Sequence, residues 1–474
     1  MVKRTFAYRI GILTWVLALV LPACSTASRG VMPTSGEGFQ SQDELVPGLT
    51  LSKYVKHVVI IVQENRSFEN LFAGFHGANA PMYGYEKIKQ PSGKYKVVKL
   101  NLKKINWSAP TIYHGVEWTF KAYDDKKMDQ FNLVPFDKPP NDPSGTASYA
   151  YLDPNLIKPY RQMAYDYTLA DNMYPTAWGG SFSAHLDLIA GTTLISSSQA
   201  VTVPNNVPWG CESKYGPPPS TETQTLNPQH DWSGYPPSNP APWGPFPCFT
   251  QFTTIAGTLD HAKISWKYYA PSITEDQAGR VWSEFRAIKA IFNGPDWKNH
   301  VISPETTVLT DISKNKLPAV SWVVPKAHNS DHDVGDTGGP SWVTSIVNAI
   351  GESNYWNDTA IFVLWDDWGG WYDNAPPPQP DFVGLGFRVP CIIISPYSRV
   401  HHISHTQYEF GSLLKFVEAA FGLPSLHHTD ERATSVLDSF DFTAPPHKFQ
   451  KIDAPLNREY FLHQPPDTVP PDDE

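Results

Sequence analysis

Four short stretches of the chain are apolar at almost every position: HVVIIV (57–62), AVSWVV (319–324), AIFVLW (360–365) and CIIIS (391–395). Each is rich in Val and Ile and bounded by polar or turn-forming residues, the pattern of a central strand covered on both faces. Between them, residues 154–166, 181–190, 340–352 and 408–421 carry apolar positions at helical spacing. Buried strands alternating with amphipathic helices predict an α/β fold: a mostly parallel, doubly wound sheet with helices on both faces and long loop insertions. No internal repeat or domain boundary interrupts residues 51–460.

The flanks are different. Lys3, Arg4 and Arg9 precede an apolar run from Ile10 to Ala23 that is too short for a comfortable membrane span, so residues 1–23 read as an export signal. The run ends in LPAC, with Leu21, Ala23 and Cys24 placed as in a lipoprotein signal, leaving lipidation of Cys24 and ordinary cleavage as two open outcomes. Either places the mature chain outside the cytoplasm, in the periplasm, secreted, or lipid-anchored to the envelope. Residues 24–50 are small and polar, a flexible tether, and residues 461–474, rich in Pro and Asp, read as a disordered tail. Residues 201–250 form a Pro-rich surface insertion bracketed by Cys211 and Cys248, which in an oxidising compartment are expected to pair. Cys391, inside an apolar run, reads as a buried thiol.

A hydrophobic fraction of 41% over 474 residues supports a large core. The formal charge of −10, read as spread along the chain without basic runs, argues against nucleic-acid binding and requires an anionic substrate to be held locally.

In open α/β sheets the chemistry gathers beyond the carboxyl ends of the strands. Those ends carry Glu64, Asn65, Arg66 and Ser67 after the first run, His328, Asp331, His332 and Asp333 after the second, Asp366 and Asp367 after the third, and His401, His402 and His405 after the fourth. Two adjacent carboxylates at the end of a buried strand repel, and burying them unpaired costs several kcal/mol. A divalent cation is the economical counter-charge, since Glu, Asp and Asn oxygens form a hard ligand set that histidine can join. The plainer alternative is that each caps a helix or pairs with Arg. Gly179-Gly180 precede a helical pattern, which puts Ser181 at or near a helix N-terminus, where amides and dipole favour an oxyanion; an ordinary Ser cap is the competing reading. G-x-S-x-G, Walker and Rossmann signatures are absent.

HVVIIVQENRSFENLF, HNSDHDVGD, VLWDDWGGWYDNAPPP, GFRVPCIIISPYSR and KMDQF together resemble the phosphoesterase family of nonspecific phospholipases C and secreted bacterial acid phosphatases, over roughly residues 55–442. The resemblance implies an alkaline-phosphatase-like fold, a divalent metal (Ca, Mg, Mn or Zn) and attack by a serine through a phosphoserine intermediate. By position it implies Glu64, Asn65, Asp366 and Asp367 as metal ligands, joined by Ser181 as nucleophile, and His332 and His114 at the phosphate or leaving group. His328 reads either as a third phosphate contact or as a partner that orients one of these groups. Three departures favour the acid-phosphatase branch: Ser181 where phospholipases usually carry Thr, Ser-Ala-His (183–185) for Pro-Asn-Arg, and Trp368 where relatives often have His. The function implied is an acid phosphatase; a phospholipase C and a catalytically silent phosphate- or phospholipid-binding lipoprotein are the alternatives.

Overall fold

The computed structural model describes residues 50–137, 140–197, 199–204, 210–212, 221–225, 248–274, 282–332 and 338–468. The export signal, Cys24, nearly all of the tether, Asp333, most of the Pro-rich insertion and residues 469–474 lie outside the described residues.

A nine-stranded sheet organises the fold. Its strands are β1 (His57–Gln63), β2 (Thr168–Tyr174), β3 (Trp266–Tyr269), β4 (Val301–Ile302), β5 (Val320–Val323), β6 (Thr359–Trp365), β7 (Val389–Ile394), β8 (His402–Ser404) and β9 (Tyr408–Glu409). The order is β4-β3-β5-β1-β6-β7-β2-β8, with β9 also pairing with β2. All neighbours are parallel except β7, which runs antiparallel to both β6 and β2. The four apolar runs are thus strands at the expected places, and the α/β architecture with a mostly parallel sheet is the one observed.

The helices that cover it are α1 (Phe68–Phe72), α2 (Lys158–Asp166), α3 (Ser181–Ala190), α4 (Gly339–Gly351) and α5 (Gly411–Phe421). Side chains three residues apart on a strand face opposite ways. On β6, Phe362 meets Phe416 of α5 at 5.1 Å between ring centres, and Trp365 meets Tyr160 of α2 at 4.9 Å. Helices α2 and α4 pack together on one face, α3 and α5 on the other.

Two features escape the apolar pattern. Strand β2, TLADNMY, sits inside the sheet with Asp171 in its middle; its buried carboxylate accepts the Asn79 amide at 2.8 Å and pairs with His405 Nδ1 at 2.9 Å. Those partners come from distant segments, so local pattern cannot announce them. The reversed direction of β7 also moves its carboxyl end, and with it His401 and His402, to the sheet edge opposite that of β1 and β6, while His405, one residue past β8, is held by Asp171. The expectation that these histidines gather at the carboxyl ends of β1 and β6 is therefore corrected.

Charge is less evenly spread than the overall balance implies: residues 83–105 hold seven lysines against Glu86. Most lie on the antiparallel hairpin Tyr83–Lys89/Tyr95–Asn101. The expected disulfide joins Cys211 to Cys248, and Cys391 is a buried free thiol. The disordered tail is corrected in part: residues up to 468 are described, Lys326 Nζ donates to Pro465 O, and Asp467 is buried against His328. Composition gave no sign of those basic partners. Among the described residues no helix is long and apolar enough to cross a membrane.

Candidate active site

Strands β1 and β6 pair in register through Gln63 opposite Trp365, and the Asp366 amide adds one more bond, to Gln63 O at 2.9 Å. Glu64 and Asp366 therefore leave the sheet side by side. The chain then turns sharply on each strand. Asn65 adopts φ 60° and donates its amide to Asp366 Oδ1 at 2.8 Å, and the Asp367 amide donates to the same oxygen at 2.7 Å. Gly369 (φ +58°) lies so close to this turn that a Cβ there would stand 2.0 Å from Asn65 O. Only glycine meets both the left-handed backbone and the close approach.

Downstream, Ser67 caps α1 through the Asn70 amide at 3.2 Å and donates its hydroxyl to Tyr372 O at 2.7 Å. Buried Arg388, just ahead of β7, pairs with Asp373 through Nε–Oδ1 at 3.1 Å and Nη2–Oδ2 at 3.2 Å. The ENRSF segment and the 366–373 segment are thus fastened to each other at several points.

Strand β2 ends at the same edge and leads, through Gly179-Gly180, into α3. Ser181 is the first residue of that helix, with Gly180 at the cap position, so the capping alternative is excluded. Its Oγ instead lies 3.3 Å from Asp367 Oδ2 and 3.4 Å from Asn65 Oδ1, and Ser181 is buried. A relay fixes the Asn65 amide: His114 Nδ1 donates to Ile112 O at 3.0 Å, leaving Nε2 to accept from Asn65 Nδ2 at 3.1 Å. This proton placement follows from the hydrogen-bond network. Asn65 Oδ1 is thereby turned toward Ser181.

His185, which the sequence reading left out, stands four residues after Ser181, one helical turn along the same face of α3. It donates Nε2 to Glu64 Oε1 at 3.1 Å and lies 4.0 Å from Asp366 Oδ2. Ligand atoms of Glu64, His185 and Asp366 fall within 4.8 Å of one another. The i, i+4 spacing from the candidate nucleophile was the available signal. Burial lowers the His185 pKa to about 4, so the ring is neutral, as a metal ligand must be.

Burial, and then the neighbouring Glu64, raise the Asp366 carboxyl well above the ordinary range. Its Oδ2 is buried with no hydrogen-bond donor among the described residues. A buried carboxylate oxygen without a donor, beside a second buried carboxylate, fits a cation better than it fits a structural role. Glu64, Asn65, Asp366 and Asp367 are brought together with Ser181, as expected.

His114 is buried, its Nε2 accepting from Asn65 Nδ2. His328 is half-exposed, with Asp467 Oδ2 2.7 Å from its Nδ1. His332 sits half-buried after β5, its ring 5.7 Å from that of Trp282 and its amide donated to Ser330 Oγ. Trp368 donates Nε1 to His114 O at 3.1 Å and packs on Phe387. Trp178, Trp365 and Trp371 are likewise buried in the core.

A helix-initiating serine thus meets strand-end carboxylates at one edge of the sheet, and comparison with known proteins places the chain in a family. Residues 55–424 match the Phosphoesterase family, and the chain belongs to it. Phospholipase C B of Mycobacterium tuberculosis is 30% identical over 223 residues, covering 40% of this chain and 43% of that protein. The hemolytic phospholipase C of Pseudomonas aeruginosa is 25% identical over 409 residues, covering 78% and 53%. The chain thus spans about half the length of these curated relatives. A crystal structure of a protein in the alkaline phosphatase superfamily from Vibrio parahaemolyticus aligns over 81% of this chain and 72% of its own, with TM-score 0.35 and 11% identity.

Proposed function

We propose that the chain is an exported, metal-assisted phosphoesterase that hydrolyses phosphate monoesters at acidic pH through attack by Ser181. The observation that carries this reading is the position of Ser181 Oγ, at the first turn of α3 and within 3.4 Å of both Asn65 Oδ1 and Asp367 Oδ2. A divalent metal held by Glu64, Asn65, Asp366 and Asp367, with Ser181 and His185 beside it, would supply the positive charge that makes a serine hydroxyl nucleophilic below neutral pH.

The chain's own groups do the rest. Asp367 Oδ2 accepts the Ser181 proton, while the relay from Ile112 through His114 holds Asn65 in orientation. Oγ then bonds to phosphorus as the ester oxygen leaves, giving phosphoserine. The amides of the first turn of α3 have no intrahelical acceptor and point at the developing charge on the phosphoryl oxygens. His332 is assigned to protonating the leaving oxygen on its place in HNSDHDVGD. Hydrolysis of phosphoserine by water from the opposite side restores Ser181. Export rests on the apolar run Ile10–Ala23, and lipidation of Cys24 on the LPAC that follows.

The names of the relatives favour a second reading, a phospholipase C releasing a phosphorylated headgroup with the same constellation. Assaying phosphomonoesters and phosphatidylcholine with one metal-analysed preparation separates the two, by free phosphate or phosphocholine as product. Retention of most turnover by Ser181→Ala on the preferred ester would end the nucleophile assignment. Binding without turnover on every ester would leave only a phosphate-binding role.

A further inference from the structure

We infer that a second cation site, separate from the catalytic centre, lies at the C-terminal end of α3 around Asp187, and that it takes a hard divalent cation of the Ca2+ class on oxygen donors alone. Asp187 stands two residues beyond His185, about 200° around the helix, so it faces away from the catalytic carboxylates.

Its side chain is buried, 1% exposed, and among the described residues neither carboxylate oxygen has a hydrogen-bond partner. The carboxylate lines a cavity of about 20 Å³ together with Asp381, Thr176, Thr192, Thr193 and Thr429. That volume admits one particle of water or ion size. The Thr193 hydroxyl, 2% exposed, is also without a partner among the described residues. Two independent side chains, one anionic and one neutral, therefore present unused oxygens to the same space.

The charge around the cavity is unbalanced. Arg432 donates Nε and Nη2 to Glu409 at 3.0 and 2.9 Å and Nη1 to Asp381. One guanidinium thus serves two carboxylates, and Asp187 is left over. A water would satisfy hydrogen bonds there but leave the excess negative charge in place, whereas a divalent cation removes it. The remaining threonines keep acceptor capacity: Thr192 Oγ1 accepts the Leu194 amide at 3.0 Å, and Thr429 Oγ1 donates to Gly191 O at 2.6 Å. The helix ends here, at Gly191 in the left-handed conformation, and the negative end of its dipole also favours a cation. Carboxylate and hydroxyl oxygens without nitrogen or sulfur suit Ca2+, in contrast to the imidazole at the catalytic centre.

Calcium content and affinity of the purified full-length chain test the inference, using Ca2+ itself and Tb3+ luminescence sensitised by tryptophan. The wild type should hold one more equivalent of Ca2+ than Asp187→Asn. Thr193→Val, a near-isosteric change, should weaken that equivalent about tenfold in Kd. Asp366→Asn, which removes a catalytic ligand, should keep it. Calcium should raise the unfolding midpoint of Asp366→Asn by several degrees, and should leave the double variant Asp187→Asn/Asp366→Asn unmoved. Should Asp187→Asn fold poorly, Thr193→Val alone decides. Unchanged calcium binding in both cavity variants, or loss of all calcium in Asp366→Asn, overturns the inference, and neither outcome bears on Ser181.

Discussion

Substituting Gly369 by alanine should disable the site from outside it. The position has φ +58°, and an added Cβ would lie 2.0 Å from the Asn65 carbonyl, more than an ångström inside ordinary contact. Left-handed backbone alone costs a non-glycine residue about 1–2 kcal/mol. Gly422 supplies the control: it has φ +62° at the end of α5, with nothing within 4 Å of its added Cβ. Gly422→Ala should therefore lose that 1–2 kcal/mol of stability and no activity. Gly369→Ala carries the same strain and must in addition push Asn65 away from Ser181 and Asp366. A displacement near 1 Å at a reacting centre costs about a hundredfold in rate, so kcat/KM should fall by about that factor. The assay is turnover of the preferred phosphate ester, with unfolding midpoints and metal content measured on the same samples. If a folded Gly369→Ala keeps kcat/KM within about threefold of the wild type, the turn does not set the position of Asn65, and the account of the site is wrong.

Three further outcomes follow from the same geometry. Asp366→Asn should empty the catalytic metal site, yet stabilise the metal-free protein by about 1–3 kcal/mol, since an amide is less costly to bury beside Glu64 than a carboxylate whose Oδ2 has no donor among the described residues; metal analysis and thermal unfolding in chelator read the two effects. Burial raises the Asp331 carboxyl to about 7, above its unfolded value near 4, so its stabilising contribution is complete below about pH 4 and is lost as the pH rises to about 7. Asp331→Asn should then flatten the stability profile across that window, by up to about 4 kcal/mol, and a profile parallel to that of the wild type would refute the assignment. His114→Ala, which frees the Asn65 amide to rotate, should lower kcat by about ten- to a hundredfold with little change in KM; a change confined to KM would instead place His114 on the substrate.

Much of this was written locally in the chain. The buried strands announce themselves because apolar residues fill both faces of β1 and β6, and Asp366-Asp367 stand out because nothing apolar explains two anions at such a strand end. Ser181 was legible through the glycines before it. Strand β2 was hidden because a polar residue in its middle is satisfied by His405, more than two hundred residues away. The direction of β7 was hidden as well, since an apolar strand reads the same whichever way it runs. The same limit applies to His114 and His328: their chemistry was plain, but whether the ring meets a ligand, an Asn amide or the tail's Asp467 depends on contacts that spacing does not encode.

The reversal of β7 also sorts the loops by their tolerance of change. Because β6 ends and β7 begins at one edge of the sheet, the whole connection 366–388 lies on the catalytic side, carrying Asp366, Asp367, Gly369, Asp373 and Arg388. An insertion near either end of that connection must disturb its contacts with the ENRSF segment. Residues 395–401, which join β7 to β8, turn at the opposite edge. That is where a tag, a longer loop or a grafted binding peptide can be added without reaching the chemistry.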